Sequence, residues 1–295
     1  MGMSQITNRI NGSSMKINGN SIIKLPGEYY LNEDCTADGN INIQIQANNV
    51  FLDLNGKTLG CNTMVSKNTK NYGVLIGSVQ DVFICNGKIT GCYAGISAAN
   101  THNLTLERID FSGNYYMGAN LGGVNSKVRF CTFSDITGYE VEAYSIGLNN
   151  IGDAACVENN LFLNLYRQAI STDKLLGEGV GIICKPGSKQ SMIRFNYFRN
   201  DTPQKGSIGI WLGEDSTNTL VENNAFVNIF QPVAGKAKAE IKGNMMWLNG
   251  LYKGSYGIAT TGGVASDNLV VGYEVPVTAT TESYRNIILN TDYSQ

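Results

Sequence analysis

Residues 146–149 read Ile146-Gly147-Leu148-Asn149, and this pattern of a glycine leading a short apolar strand returns along the chain. It recurs at the following glycines: Gly73, Gly95, Gly118, Gly147, Gly181, Gly209 and Gly257. A repeat of roughly 20 to 36 residues is typical of a solenoid, in which each coil buries its apolar face against the next. The glycine column therefore points to a repeat fold before any other feature is considered.

A second column is in phase with the first. Each repeat contains a two-residue turn, whose second position is, in order, Gly56, Gly87, Ile109, Cys131, Asn160, Asn196, Asn224, Asn244 and Gly272. Asn and Gly tolerate the left-handed backbone conformation, and stacked Asn side chains can hydrogen-bond along the stack. A bulky residue follows each turn: Ile89, Phe111, Phe133, Phe162, Phe198 and Phe226.

The two columns predict an all-β protein, a single right-handed parallel β-helix of about eight to ten coils. Short strands that recur in the same order imply parallel stacking, and no segment has the periodicity of an amphipathic helix. A leucine-rich repeat would need a Leu pattern that is absent, and an antiparallel sandwich would not explain the columns. We expect residues 1–20 to form an N-terminal cap or arm, 21–272 the β-helix, and 273–295 a C-terminal cap segment.

The composition limits the classes of binding partner that we expect. The formal net charge is -2 and charged residues make up 16% of the chain. This balance gives no electrostatic reason to expect nucleic acid or a membrane surface as a partner. No run approaches the roughly 18 apolar residues of a membrane span. The first ten residues do not read as a signal peptide, so we expect a cytoplasmic protein, with secretion left open.

Cysteine and histidine usage argues against common metal and triad chemistry. Cys85, Cys131, Cys156 and Cys184 lie in apolar strand patterns, where we expect them to fill the core as small hydrophobic residues. No CxxC pair is present, and His102 is the only histidine, in a turn. We therefore expect no metal and no cofactor, although a Ca²⁺ requirement stays open.

The run from Asn49 to Leu59, NVFLDLNGKTL, resembles the first full coil of many bacterial and phage β-helix proteins. Together with the glycine and Asn columns, it resembles the pectate-lyase-like superfamily from about Lys24 to Asn290. That superfamily includes polysaccharide lyases, glycoside hydrolases, epimerases, phage tailspikes and non-catalytic modules. The resemblance implies an oligo- or polysaccharide partner, and for a tailspike-like protein a homotrimer in a phage virion. The catalytic motifs of the polygalacturonases and pectate lyases are absent.

The resemblance also implies that the glycine-led strands form the floor of a binding groove. Alternation then predicts an outer face that includes Asn71 and Ser145 and is polar and aromatic. Aromatic rings on such a face suit the apolar faces of sugar rings. We predict these substrate-binding residues: Tyr93, Tyr116, Asn120, Tyr144, Asn149, Arg167 and Trp211. The alternative is that the tyrosines are ordinary cross-strand stabilisers.

Charged residues flank the middle coils, in long insertions before the glycine strands and in the turns after them. We predict these catalytic residues: Asp153, Asp173, Glu178, Lys185, Glu214 and Asp215. Asp153 and Asp215 would lie two coils apart, roughly 9 to 10 Å, close to the spacing of an inverting hydrolase. A lyase would instead need a base and a cation, for which Lys185, Arg167, Lys174 and Tyr144 are candidates. The alternative for each is a solvated loop charge.

The sequence thus favours an enzyme, a polysaccharide lyase or glycoside hydrolase acting in this groove. One alternative is a non-catalytic glycan-binding or structural module of the tailspike kind. Another is a small-molecule isomerase or cyclase that uses a groove closed by its loops. Function depends on the site rather than the fold, so the three hypotheses stay open at this stage.

Overall fold

The computed structural model describes residues 14–37, 39–62, 70–136, 144–165, 178–278 and 282–289, and these ranges consist of strands and turns. The chain visits three parallel sheets in turn, and one passage through sheets 1, 2 and 3 makes a coil. Within the described ranges we find no helical segment with the length and hydrophobicity that a membrane crossing needs.

The strand bounds follow the three sheets. Sheet 1, led by the glycines, contains β2 (Ser21–Ile23), β5 (Ile41–Ile45), β8 (Tyr72–Ile76), β10 (Ala94–Ala98), β12 (Met117–Leu121), β15 (Tyr144–Ile151) and β18 (Glu178–Cys184). Sheet 2 contains β1 (Met15–Ile17), β3 (Gly27–Leu31), β6 (Val50–Asp53), β13 (Lys127–Arg129), β16 (Cys156–Glu158), β19 (Met192–Arg194), β21 (Thr217–Glu222), β23 (Lys238–Lys242), β25 (Val264–Ser266) and β27 (Glu282–Tyr284). Sheet 3 contains β4 (Cys35–Ala37), β7 (Thr58–Cys61), β14 (Thr132–Ser134), β17 (Leu161–Leu163) and β28 (Ile287–Leu289).

Six long strands turn a corner between sheets. β9 (Gln80–Thr90) and β11 (His102–Asp110) run from sheet 2 into sheet 3. Four run from sheet 3 into sheet 1: β20 (Tyr197–Leu212), β22 (Ala225–Gly235), β24 (Met245–Thr260) and β26 (Leu269–Val277). The pairings between described strands are parallel, for example Ile146 with Met117 on one side and Val180 on the other. The predicted parallel β-helix is confirmed.

The glycine column exists because aromatic rings occupy the space beneath it. Phe111, Phe133, Phe162, Phe198 and Phe226 stack inside the helix with ring centroids 4.6 to 4.9 Å apart. A Cβ added at Gly181 would lie 2.6 Å from Cε1 of Phe198 and 2.6 Å from the carbonyl oxygen of Gly209. Glycine is therefore required by close packing at this column, not by a positive φ.

The Asn column forms a continuous hydrogen-bonded ladder. Asn196 Nδ2 donates to Asn224 Oδ1 at 3.0 Å, and Asn224 Nδ2 donates to Asn244 Oδ1 at 3.0 Å. The ladder continues through Asn268 and ends at Asn286. Two details of the prediction were wrong. Asn268, not Gly272, follows Asn244 in the ladder, and the left-handed residue precedes the ladder position, as at Asn159 with φ 57°.

The cysteines differ in where the fold places them. Cys131 and Cys184 are buried in the core as predicted, and burial raises the pKa of both to about 12. Cys85 is also buried, but it lies in the outward register of sheet 2, beside Glu107. Cys156 is only half-buried on the outer face of sheet 2, so its predicted place in the core was wrong. Cys61 and Cys92 form a disulfide that the sequence did not predict.

Strand pairing extends on both sides of the span 21–272 that the sequence assigned to the β-helix. β1 pairs with β3 before it, and β28 pairs with β26 after it. The core nevertheless ends near this second boundary, because the last strand exposes Ile287, Ile288 and Leu289. The division of the chain into cap and helix stays a prediction, since residues 1–13 lie outside the described ranges.

Candidate functional site

A bend at each glycine determines which side chains reach the outer face of sheet 1. Gly147 and Leu148 both face the interior, because a Cβ at Gly147 would meet the Phe162 ring and Leu148 belongs to the main core. Strict alternation is therefore interrupted, and Ile146 faces outward, packed beside Met117 in a separate apolar cluster. The outer face thus carries the residue before each glycine and the second residue after it.

This geometry creates a groove of about 550 Å³ on the outer face of sheet 1. Its lining consists of Tyr116, Tyr144, Ile146, Asn149, Val180, Ile183, Ile208, Trp211 and Gln231. The groove lies over the coils of Gly147, Gly181 and Gly209, where the sequence placed it. Its floor is aliphatic, and aromatic and carboxamide side chains rise around that floor.

Four of the seven predicted substrate-binding residues line the groove. Tyr144 and Trp211 are exposed, at 41% and 38% of their surface, so their rings are available to a ligand. Tyr116 is half-buried at one end, and Asn149 lies in the same column as Trp211. Which molecule these residues bind stays a prediction.

Tyr93 has a supporting position. Its ring is 6% exposed and packs against Tyr116 with centroids 4.9 Å apart, while the ammonium group of Lys70 lies 4.8 Å from its ring centroid. Its ring is buried within the outer apolar cluster that also contains Met117 and Ile146, so it supports Tyr116 instead of offering its own surface to a ligand. Asn71 and Ser145, which alternation had predicted to face outward, are also buried.

The carboxamides along the outer face are linked to one another. Asn149 Nδ2 and Asn150 Nδ2 both lie within hydrogen-bonding distance of Asn120 Oδ1, at 3.4 and 3.2 Å. Asn120 therefore lies in the coil of Tyr116, at one end of the groove, where it fixes the side-chain orientation of Asn149. Because Asn149 Nδ2 is held by Asn120, its side-chain oxygen Oδ1 can accept hydrogen bonds from a ligand.

Two predicted catalytic carboxylates have structural partners in the turns after sheet 1. Asp153 Oδ1 accepts a hydrogen bond from the backbone N–H of Lys189 at 2.9 Å. Glu214 lies 3.6 Å from Lys236 in an exposed ion pair. Neither carboxylate lines the groove, so the alternative of turn charges describes these two residues better than catalysis does.

Lys185 and Asp215 are also exposed turn residues. The backbone N–H of Lys185 continues the sheet by donating to Ile151, and Asp215 adopts a left-handed conformation with φ 59°. The structure thus does not bring the four turn residues into the groove.

The other predicted residues are less fully described. Asp173, Arg167 and Lys174 lie outside the described ranges. Glu178 begins β18, and its backbone pairs with Tyr144, so its register position is beside the groove. Among the described residues, no three side chains of the metal-ligating types cluster. His102 is exposed at the start of β11, not in the turn predicted for it, and its Nδ1 accepts a hydrogen bond from the backbone N–H of Val124.

Sequence reasoning missed five lining residues: Ile146, Val180, Ile183, Ile208 and Gln231. Gln231 was not predicted because the residue after it is Pro232, at the position where neighbouring coils have glycine, so the repeat was not recognised there. A useful signal was available in the aliphatic residue that precedes several of the glycines.

Comparisons with known proteins agree with the architecture. No protein-family model matches the sequence, and a search of curated proteins finds no match. Among solved structures, the Dettilon tailspike protein gp208 superposes with a TM-score of 0.67 at 13% identity, covering 94% of this chain and 61% of the tailspike. A variant of the periplasmic alginate epimerase AlgG gives 0.65 at 12% identity, covering 91% and 77%. An alginate lyase from Paenibacillus sp. str. FPU-7 gives 0.60 at 13%, covering 89% and 92%.

The chain has the right-handed parallel β-helix fold that these solved structures share. At these identities the similarity shows the fold alone. The chain also spans only 61% of the tailspike, so that protein's assembly is not transferred by the superposition.

Proposed function

We propose that this chain is a carbohydrate-active β-helix protein that binds an oligo- or polysaccharide in the groove on sheet 1. The observation that carries the proposal is the combination of Tyr116, Tyr144 and Trp211 around an aliphatic floor. Sugar rings have apolar faces that pack on aromatic rings and hydroxyl groups that need hydrogen-bond partners. Asn149 and Gln231 supply such partners at the same surface.

The length of the groove favours a chain of sugars over a single small molecule. Tyr116 and Trp211 belong to coils three spacings apart, which is about 14 Å along the helix axis. A linear ligand lying along the axis would contact both rings.

The known activities of the structural neighbours are compatible with this substrate class. The neighbours include an alginate epimerase, an alginate lyase and a tailspike. As the specific activity we propose cleavage of the bound polysaccharide, by a lyase or hydrolase reaction. Glu178 is the predicted catalytic residue to test first, because its backbone lies beside Tyr144 at the groove.

We also propose that the protein works in an oxidising environment, such as a cell or virion surface. The Cys61–Cys92 disulfide supports this location, since disulfides are rare in a reducing cytoplasm. This proposal replaces the cytoplasmic location expected from the sequence. A free-thiol count on protein purified from its native source, without reductant, would test it.

A glycan panel tests the binding proposal. We expect one or more linear glycans to bind, with affinity reduced roughly tenfold or more in Trp211→Ala. Trp247→Ala is the matched control, because Trp247 is also exposed but lies on sheet 3. Equal affinity in Trp211→Ala and the control would show that the groove is not the binding site.

Product analysis distinguishes cleavage of the bound polysaccharide from non-catalytic binding. Turnover that is lost in Glu178→Gln, with binding retained, would support cleavage at the groove. Binding without any product would instead support a non-catalytic glycan-binding module. Full turnover in Glu178→Gln would remove that residue from the reaction.

A further inference from the structure

The outer edge of sheet 2 carries a ladder of charges that alternate in sign. Six successive coils place one charged residue each at the same register position: Glu107, Arg129, Glu158, Arg194, Glu222 and Lys242. We call these six residues the charge ladder. Each coil is about 4.8 Å from the next, so the ladder is about 24 Å long.

Ion pairs along the helix axis hold the ladder in place. Arg129 Nη2 lies 2.6 Å from Glu107 Oε2, and Arg194 Nη2 lies 2.9 Å from Glu158 Oε2. Lys242 Nζ lies 3.8 Å from Glu222 Oε2. The ladder is therefore a fixed pattern of charge on the surface, apart from the first glutamate, which is buried.

An alternating ladder with an even number of members is complementary to its own reversed copy. Turned end over end about an axis between Glu158 and Arg194, it places each acidic residue opposite a basic one. Among the exposed members, Arg129 then opposes Glu222 and Glu158 opposes Arg194, while Lys242 lies over the position of the buried Glu107. Two ladders that run in the same direction would instead oppose like charges, which is unfavourable.

Exposed apolar side chains lie on both sides of the ladder. Phe130 and Phe195 directly follow two ladder arginines and are 53% and 49% exposed. Both adopt left-handed backbone conformations, with φ 57° and 55°, which bulky residues rarely do. On the other side, Cys156, Met192 and Leu220 form a half-buried column on the same face.

We propose that this face of sheet 2 binds a second copy of the chain in antiparallel orientation, forming a two-fold symmetric dimer. The flanking apolar residues supply contact area, and the charge ladder selects the partner and its direction. The face lies away from the groove on sheet 1, so both copies keep their grooves open. An antiparallel dimer also differs from the homotrimer expected of a tailspike-like protein.

Phe195→Asn tests the contact without disturbing the fold. Asn already stands at the equivalent left-handed position in other coils, at Asn159 and Asn223. We expect the unmodified chain to sediment as a dimer, and Phe195→Asn to raise its dissociation constant roughly tenfold or more. Trp211→Ala is the control, and its dimerisation should be unchanged.

Zero-length carbodiimide cross-linking of the full chain tests the direction. Lys127 and Glu222 lie three coils apart within one chain, about 14 Å, which is beyond such a cross-link. In the antiparallel dimer Glu222 faces Arg129 of the other copy, and Lys127 lies two residues before Arg129 in the same strand, where its long side chain can reach Glu222. We expect this cross-link between isotopically light and heavy copies in a mixed sample. A monomer at all concentrations, a trimer, or a dimer unaffected by Phe195→Asn would overturn the proposal, and so would a dimer lacking the cross-link.

Discussion

Replacing one ladder asparagine should destabilise the β-helix far more than replacing its neighbour in the same turn. Asn224 is 1% exposed, and its side chain takes part in four hydrogen bonds. Its Oδ1 accepts from the backbone N–H and the Nδ2 of Asn196, and its Nδ2 donates to Ile193 and Asn244. In Asn224→Ala these groups stay buried without their partners.

The expected loss follows from counting those bonds. At about 1 kcal/mol of net stabilisation each, four buried hydrogen bonds give a loss of about 4 kcal/mol in the free energy of unfolding. The corresponding drop in Tm is about 6 °C for a chain of this size. Equilibrium urea unfolding, followed by circular dichroism, measures the free energy directly.

Asn223→Gly is the matched control. Asn223 is exposed and left-handed, with φ 53°, a conformation that glycine adopts without strain. Its unfolding free energy should therefore change by less than about 1 kcal/mol. If Asn224→Ala were no less stable than Asn223→Gly, the buried ladder would not be a main source of stability.

Three further predictions concern packing and sulfur. Gly181→Ala should lose about 1 to 3 kcal/mol of stability because its Cβ meets the ring beneath it, whereas Gly39→Ala should lose little because nothing lies within 4 Å of its Cβ; urea unfolding compares them. Cys61→Ser should cost about 3.5 kcal/mol, the loop-closure value for a separation of 31 residues, and an equal loss in reduced unmodified chain would identify the Cys92 disulfide as the cause. Cys184, whose pKa burial raises to about 12, should react with a thiol reagent at pH 8 only after unfolding; labelling of the native protein there would contradict its burial.

The fold could be predicted from the sequence because its glycine column and its Asn ladder each need a particular residue type. Only glycine fits above the stacked phenyl rings, as at Gly147 over Phe162, so the requirement is visible as a column. The buried Asn ladder likewise needs one side chain with both a donor and an acceptor at each coil. Where another residue replaces the expected one, as Pro232 does, the repeat became harder to read.

The candidate site was predictable in location but only partly in its residues. Trp211 and Asn149 were found because they lie two residues after a glycine, beyond the bend. Tyr93 and Tyr116 both lie two residues before a glycine, yet only Tyr116 lines the groove, because Tyr93 is buried by its packing against Tyr116. The turn charges, such as Asp153, carried no sign in the sequence of whether they face a ligand or a backbone N–H. Only coordinates separate those two roles.

The alternation of the charge ladder restricts how this solenoid can change its length. Insertion of a single coil within the ladder would leave either two acidic or two basic residues as neighbours, for example beside Glu158 or Arg194. Insertion or deletion of two coils at a time preserves the alternation. The repeating unit of the fold is therefore one coil, whereas the repeating unit of the charge pattern is two coils. Engineered or natural variants of different length should differ by even numbers of coils across this region.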